Sequence, residues 1–115
     1  MNRCFVELPT FRNKWERLGF DEDDLLRLQK ELLINPKIGR LMQGTSGIRK
    51  MRFAFEGRGK SGSTRVVYVD FEVYKKIYLI TAYEKSEKDN LSKEERNELK
   101  QLIHILERQL KEKYR

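Results

Sequence analysis

Apolar positions along this chain of 115 residues follow two different periods, and the changeover divides it into elements. Residues Arg3 to Leu8 are short and partly apolar, and Pro9 stops them, which predicts a first strand. Phe11, Trp15 and Leu18 then recur at helical spacing, and Gly19 is placed to end that helix. Asp21 is a predicted cap for the next one, with Glu22, Asp23 and Asp24 suiting its positive end. Leu25, Leu28 and Leu32, with Leu26 and Leu33, form its apolar stripe, and Asn35-Pro36 stops it because proline disfavours helix at the preceding residue. These two helices, joined at a glycine turn, predict a hairpin with an apolar inner face.

From Ile48 the period falls to two. Ile48, Met51, Phe53 and Phe55 fit a strand with one slip in the alternation. Val66-Val67-Tyr68-Val69 and Ile77-Tyr78-Leu79-Ile80 read as buried strands, with a turn around Glu72 to Lys76. Helical spacing returns after Asn90-Leu91. Ser92-Lys93-Glu94-Glu95 is a capping-box pattern, Leu99, Leu102, Ile103, Leu106 and Leu110 make the stripe, and Lys111, Lys113 and Arg115 suit the negative end. His104 lies beside that stripe, as expected of a partly packed helix residue. The order strand, two helices, three strands, helix predicts an α+β fold. Its form is a small, curled, mainly antiparallel sheet with an N-terminal helical hairpin and a C-terminal helix. One sheet face or rim is left free for polar groups. No repeat or proline-rich linker interrupts the chain, so residues 1–115 read as a single domain.

Charge changes the picture. The chain carries 25 Lys and Arg against 18 Asp and Glu, for a net +7. Eight of the basic residues lie between Lys37 and Tyr68 beside one acid, Glu56, so the whole excess belongs to that window and the remainder balances. A local excess of this kind points to an anion-binding site. Other classes drop out. No run of about 18 apolar residues is present to span a membrane, and the N-terminal residues lack the pattern of a signal peptide. A single cysteine, Cys4, allows no internal disulfide and no thiolate cluster, and a single histidine excludes a two-histidine nuclease and most zinc sites. The expectation is a cytoplasmic protein with no metal or cofactor.

Within the basic window, strand alternation points Lys50 and Arg52 to one face and Arg49 to the other. Adjacent cations repel unless an anion sits between them, and an RNA phosphate is such an anion. Arg65 opens the following strand, where antiparallel pairing brings it near Lys50 and Arg52. Between them Glu56-Gly57-Arg58-Gly59-Lys60-Ser61-Gly62-Ser63-Thr64 reads as a flexible loop from which Lys60 can close over the same place. It lacks the GxxxxGK[ST] pattern of a nucleotide-binding loop. The competing reading makes the loop a plain hairpin tip and the strand cations solvated edge protection. Among the tyrosines, Tyr68 and Tyr78 fit the core, and Tyr83 is the better candidate for an exposed contact on which a base can stack.

Together these motifs carry a resemblance that covers nearly the whole chain. Its parts are Phe5-Val6-Glu7, Leu32-Leu33-Ile34-Asn35-Pro36-Lys37-Ile38-Gly39 and Gly44-Thr45-Ser46-Gly47-Ile48-Arg49-Lys50-Met51-Arg52. They continue with the glycine-rich loop, Arg65-Val66-Val67-Tyr68 and Tyr78-Leu79-Ile80-Thr81-Ala82-Tyr83-Glu84-Lys85. The chain resembles the RelE/ParE superfamily of toxins from type II toxin–antitoxin pairs, most closely the HigB branch. The resemblance implies a ribosome-dependent mRNA endonuclease acting in the ribosomal A site and neutralised by a HigA-like helix-turn-helix antitoxin, through which alone it would reach DNA. It implies catalytic roles for Lys50, Arg52, Lys60, Arg65, Tyr83 and Lys85, and RNA contacts by Arg49, Arg58, Tyr68 and Lys88. Where the RelE branch has an arginine and a further tyrosine after the last strand, this chain reads Ser86-Glu87-Lys88-Asp89-Asn90-Leu91, leaving those roles empty or to Lys85 or Lys88. Rival expectations are a ParE-type gyrase inhibitor, a non-enzymatic ribosomal RNA-binding module, and an inactive phage-derived relic.

Overall fold

A computed structural model describes residues 2–55, 64–86 and 90–115. The elements are β1 (Cys4–Glu7), α1 (Pro9–Arg17), α2 (Glu22–Ile34), β2 (Arg40–Leu41), β3 (Ile48–Phe53) and β4 (Thr64–Phe71). A 3-10 turn (Glu72–Tyr74), β5 (Lys76–Glu84) and α3 (Lys93–Lys113) complete the order. The five strands form one sheet in the order β1-β5-β4-β3-β2, with β1 parallel to β5 and every other pair antiparallel. The α+β class, the helical hairpin and the C-terminal helix are those expected. The two-residue β2 is an addition, too short for any periodicity to announce.

Both longer helices start where their caps dictate. Asp21 accepts from Asp24 N–H at 2.9 Å while Asp24 accepts from Asp21 N–H at 3.0 Å. Ser92 and Glu95 make the same reciprocal pair at 3.1 and 2.9 Å. Each cap satisfies two amides that the first helical turn would leave open.

The sheet has an apolar core on each face. On one side Phe11, Trp15, Leu28 and Leu32 of the hairpin pack on Met51, Phe53, Val66 and Tyr68. On the other, Ile103, Leu106 and Leu110 of α3 cover Ile48, Val67, Val69 and Ile80. Burial on both faces is why β4 and β5 read as nearly continuous apolar runs. Of the face or rim expected to stay free, it is the rim that does, because α3 covers the side opposite the hairpin and leaves only one end of it for polar groups. Leu26, counted in the α2 stripe, lies outside it at 54% exposure, about 100° round the helix from Leu25. His104 is exposed rather than partly packed, its Nε2 standing 3.4 Å from Ser46 Oγ.

One irregularity positions the site. Val67 pairs with Thr81 and Tyr68 with Leu79, so Ile80 is an extra residue on β5. Strict alternation from Tyr78 and Ile80, which face α3, would send Tyr83 to the hairpin side. The bulge reverses the phase, so Ala82 joins the hairpin core and Tyr83 the α3 side.

Candidate nucleic-acid interface

The open end of the α3-side face is a groove of about 640 Å³ lined by Arg40, Lys50, Arg52, Arg65, Lys85 and Asn90, with Ile38 and Met51. Register builds it in two rows. Arg52 stands directly opposite Arg65, and Arg65 opposite Tyr83; Arg40 stands opposite Lys50. Directly opposed like charges destabilise a strand pair. Five cations and no carboxylate line this groove among the described residues. Such a set attracts an anion and repels a divalent cation.

Lys50 is half-buried, and its pKa is lowered, first by burial and then by the charges of Arg65, Arg40 and Arg96. Arg65 is also half-buried and donates from Nη1 to its neighbour's carbonyl at Thr64, 3.3 Å away. Arg52 and Lys85 are exposed. Tyr83, expected as an exposed contact, is instead 7% exposed, and its buried hydroxyl has no hydrogen-bond partner among the described residues. Burial raises its pKa, with Arg65 opposing and Glu95 adding, so the phenol stays protonated.

Two expected RNA contacts are placed elsewhere. Tyr68 is fully buried on the hairpin side, its hydroxyl donating to the Pro36 carbonyl at 2.8 Å and accepting from Gly39 N–H at 2.9 Å. Its ring offers no face to a base. Arg49 points away from the groove, as alternation required, and its Nη1 donates to the carbonyls of Gly39 at 2.8 Å and Lys37 at 3.1 Å. Lys60, Arg58 and Lys88 lie outside the described residues. The groove thus gathers Lys50, Arg52, Arg65 and Lys85, with Tyr83 in the Arg65 row. It adds two polar residues that were assigned no role, Arg40 and Asn90, and a third, Arg96, acts on Lys50 from outside the lining. Arg40 belongs to the basic window, but its two-residue strand is too short for alternation to assign it a face. Asn90 precedes the α3 cap, and Arg96 follows the cap by one turn, where only the tertiary fold brings either near Lys50.

The fold built around this groove is that of a small bacterial toxin. It is similar to the E. coli toxin RelE, in an arginine-to-alanine double mutant in the free state. The TM-score is 0.54 at 18% identity, covering 77% of this chain and 90% of that one. It is similar also to the same mutant in complex with a peptide of antitoxin RelBc, with a TM-score of 0.55 at 19% identity, covering 81% and 98%. The sequence profile described as the RelE toxin of the RelE / RelB toxin–antitoxin system matches residues 29–114, and the chain belongs to that family.

Proposed function

We propose that this toxin is an mRNA endonuclease that cuts message held in the ribosomal A site and so stops translation. The observation that carries the reading is the Arg52–Arg65 cross-strand pair beside a half-buried Lys50, in a groove free of carboxylates among the described residues. The nucleophile is the RNA's own 2′-OH. Its proton passes to the neutral form of Lys50, the 2′-oxygen bonds to phosphorus, and the bond to the 5′-oxygen breaks. Arg65 and Arg52 hold the phosphate oxygens on which charge develops. The departing 5′-oxygen takes its proton from water, since the Tyr83 hydroxyl is buried and Tyr83 does not line the groove. The products are a 2′,3′-cyclic phosphate and a 5′-OH. Lys85 at the rim binds the backbone, and Lys60 is a second candidate for proton transfer.

A handful of cations gives weak, sequence-independent affinity. The ribosome supplies the geometry that the groove cannot impose, which places the activity in the cytoplasm. The partner that restrains it is a HigA-like helix-turn-helix antitoxin, with acidic residues meeting the basic groove or with bulk that blocks ribosome entry. No helix among the described residues is long and apolar enough to cross a membrane. Primer extension on a reporter mRNA in a bacterial translation extract, with and without ribosomes, tests the reading. Cuts that require ribosomes and vanish in Arg65→Ala support it. Intact mRNA from a chain that still poisons cells overturns it in favour of a gyrase-type target, and a 3′-OH at the cut overturns the 2′-OH route.

A further inference from the structure

The segment joining α2 to β2 has no regular structure, yet two central strands commit polar groups to it. Tyr68 on β4 ties Pro36 and Gly39 through one hydroxyl, and Arg49 on β3 ties the carbonyls of Lys37 and Gly39. The approach is close: a Cβ on Gly39 would stand 2.9 Å from the Tyr68 ring and 3.0 Å from the Lys50 carbonyl oxygen. What this strap delivers is Arg40. The strand it sits on has only two residues, so its own ladder cannot hold it firmly. With the strap pinned, Arg40 is set opposite Lys50 and faces the groove.

We infer that Arg40 is a phosphate-holding residue of the groove and that Tyr68 is a positioning residue that keeps it there. The two rows explain what Arg40 adds. Rows two residues apart along a strand are separated by roughly 6.6–6.8 Å, a spacing that neighbouring phosphates of an extended single strand can match. The Arg52–Arg65 row takes the scissile phosphate, and the Arg40–Lys50 row takes the next one. An arginine on an untethered edge would lose backbone as well as side-chain freedom on binding. Pinning the strap removes the first of those costs in advance. A solvated edge-protecting charge would need no such tether. Arg40 also stands close enough to Lys50 to disfavour its charged form. The identity of the ligand as RNA rests on the reading above; the arrangement of the cations does not.

The test uses a short oligodeoxyribonucleotide, which lacks the 2′-OH and so is not cut by the proposed route, titrated against the full chain by fluorescence anisotropy over a range of salt. Arg40→Ala is expected to weaken binding about tenfold at low salt and to lower the salt slope by about 0.7, with Arg40→Lys recovering part of the loss. Tyr68→Phe is expected to weaken binding about threefold, and the double variant to be no weaker than Arg40→Ala alone. Losses that multiply in the double variant overturn the inference, as does an unchanged slope in Arg40→Ala or a wild type that does not bind. If Tyr68→Phe does not melt cooperatively, Arg49→Gln frees the same strap from its carbonyl side and must show the same non-additivity. Ribosome-dependent cutting that is absent while this binding pattern holds overturns the endonuclease reading and leaves the inference standing.

Discussion

Strand β4 carries a charge network near each end, and the two are built on opposite principles. Near its C-terminal end, Arg3 donates to both carboxylate oxygens of Asp70, at 2.8 and 3.2 Å, with the two side chains only 7% and 3% exposed. Lys37 adds contacts at 3.7 Å to Asp70 and 2.7 Å to Glu72. Each charge there has an opposite neighbour. At the other end Arg65 faces Arg52, with Lys50 and Arg40 in the next row and no carboxylate among the described lining residues. The first network pairs opposite charges side by side; the second sets like charges side by side along a groove that an anion can enter. Pairing stabilises a fold, whereas crowding of like charge stores affinity for a ligand, and one strand holds both because they lie at opposite ends.

Breaking the crowded end should cost activity above all. Arg65→Ala is expected to lower cleavage by about 10²–10³-fold, because the developing charge on the phosphate loses a guanidinium donor. Breaking the paired end should do the reverse. Asp70→Ala leaves Arg3 nearly buried without its partner and is expected to cost about 3–5 kcal/mol in chemical denaturation, with cleavage per folded molecule little changed.

Two smaller changes sharpen the contrast. Gly39→Ala forces a methyl group against Tyr68 and the Lys50 carbonyl, and is expected to cost about 1–3 kcal/mol and to weaken oligonucleotide binding as well, because the strap serves both ends. The Lys50 amine predicts a pH effect with a definite sign. Its pKa is depressed in the folded state, so the neutral base gains population at lower pH than an ordinary lysine would. Single-turnover cleavage should rise with pH along a limb displaced below the usual lysine range, and Lys50→Arg should flatten that limb. The same shift means that the folded chain binds fewer protons than the unfolded one there. Stability should therefore increase as pH climbs from the lowered pKa toward 10.5. The smallest effect is expected at His104. It is exposed and 3.4 Å from Ser46 Oγ, and His104→Ala should change stability by no more than about 0.5 kcal/mol.

Features written in local chemistry were legible in the sequence. Side-chain caps at Asp21 and Ser92, the leucine spacing of α2 and α3, and the stop at Asn35-Pro36 each act within a few residues, so they survive without knowledge of the fold. Alternation in β3 likewise separated Lys50 and Arg52 from Arg49. Other placements depended on what lies across the sheet. Tyr68 could not be told from an RNA-facing tyrosine until the strap that takes its hydroxyl was in view. The face of Tyr83 depended on one extra residue, Ile80, and a one-residue slip changes the face of everything after it. The sequence by itself determined the elements, their caps and the concentration of positive charge. Tertiary structure decided which cations share a groove, which are tied to the backbone and which tyrosine stands opposite Arg65 in the register. Those outcomes turn on register and long-range packing between residues far apart in the chain, which local propensity does not encode.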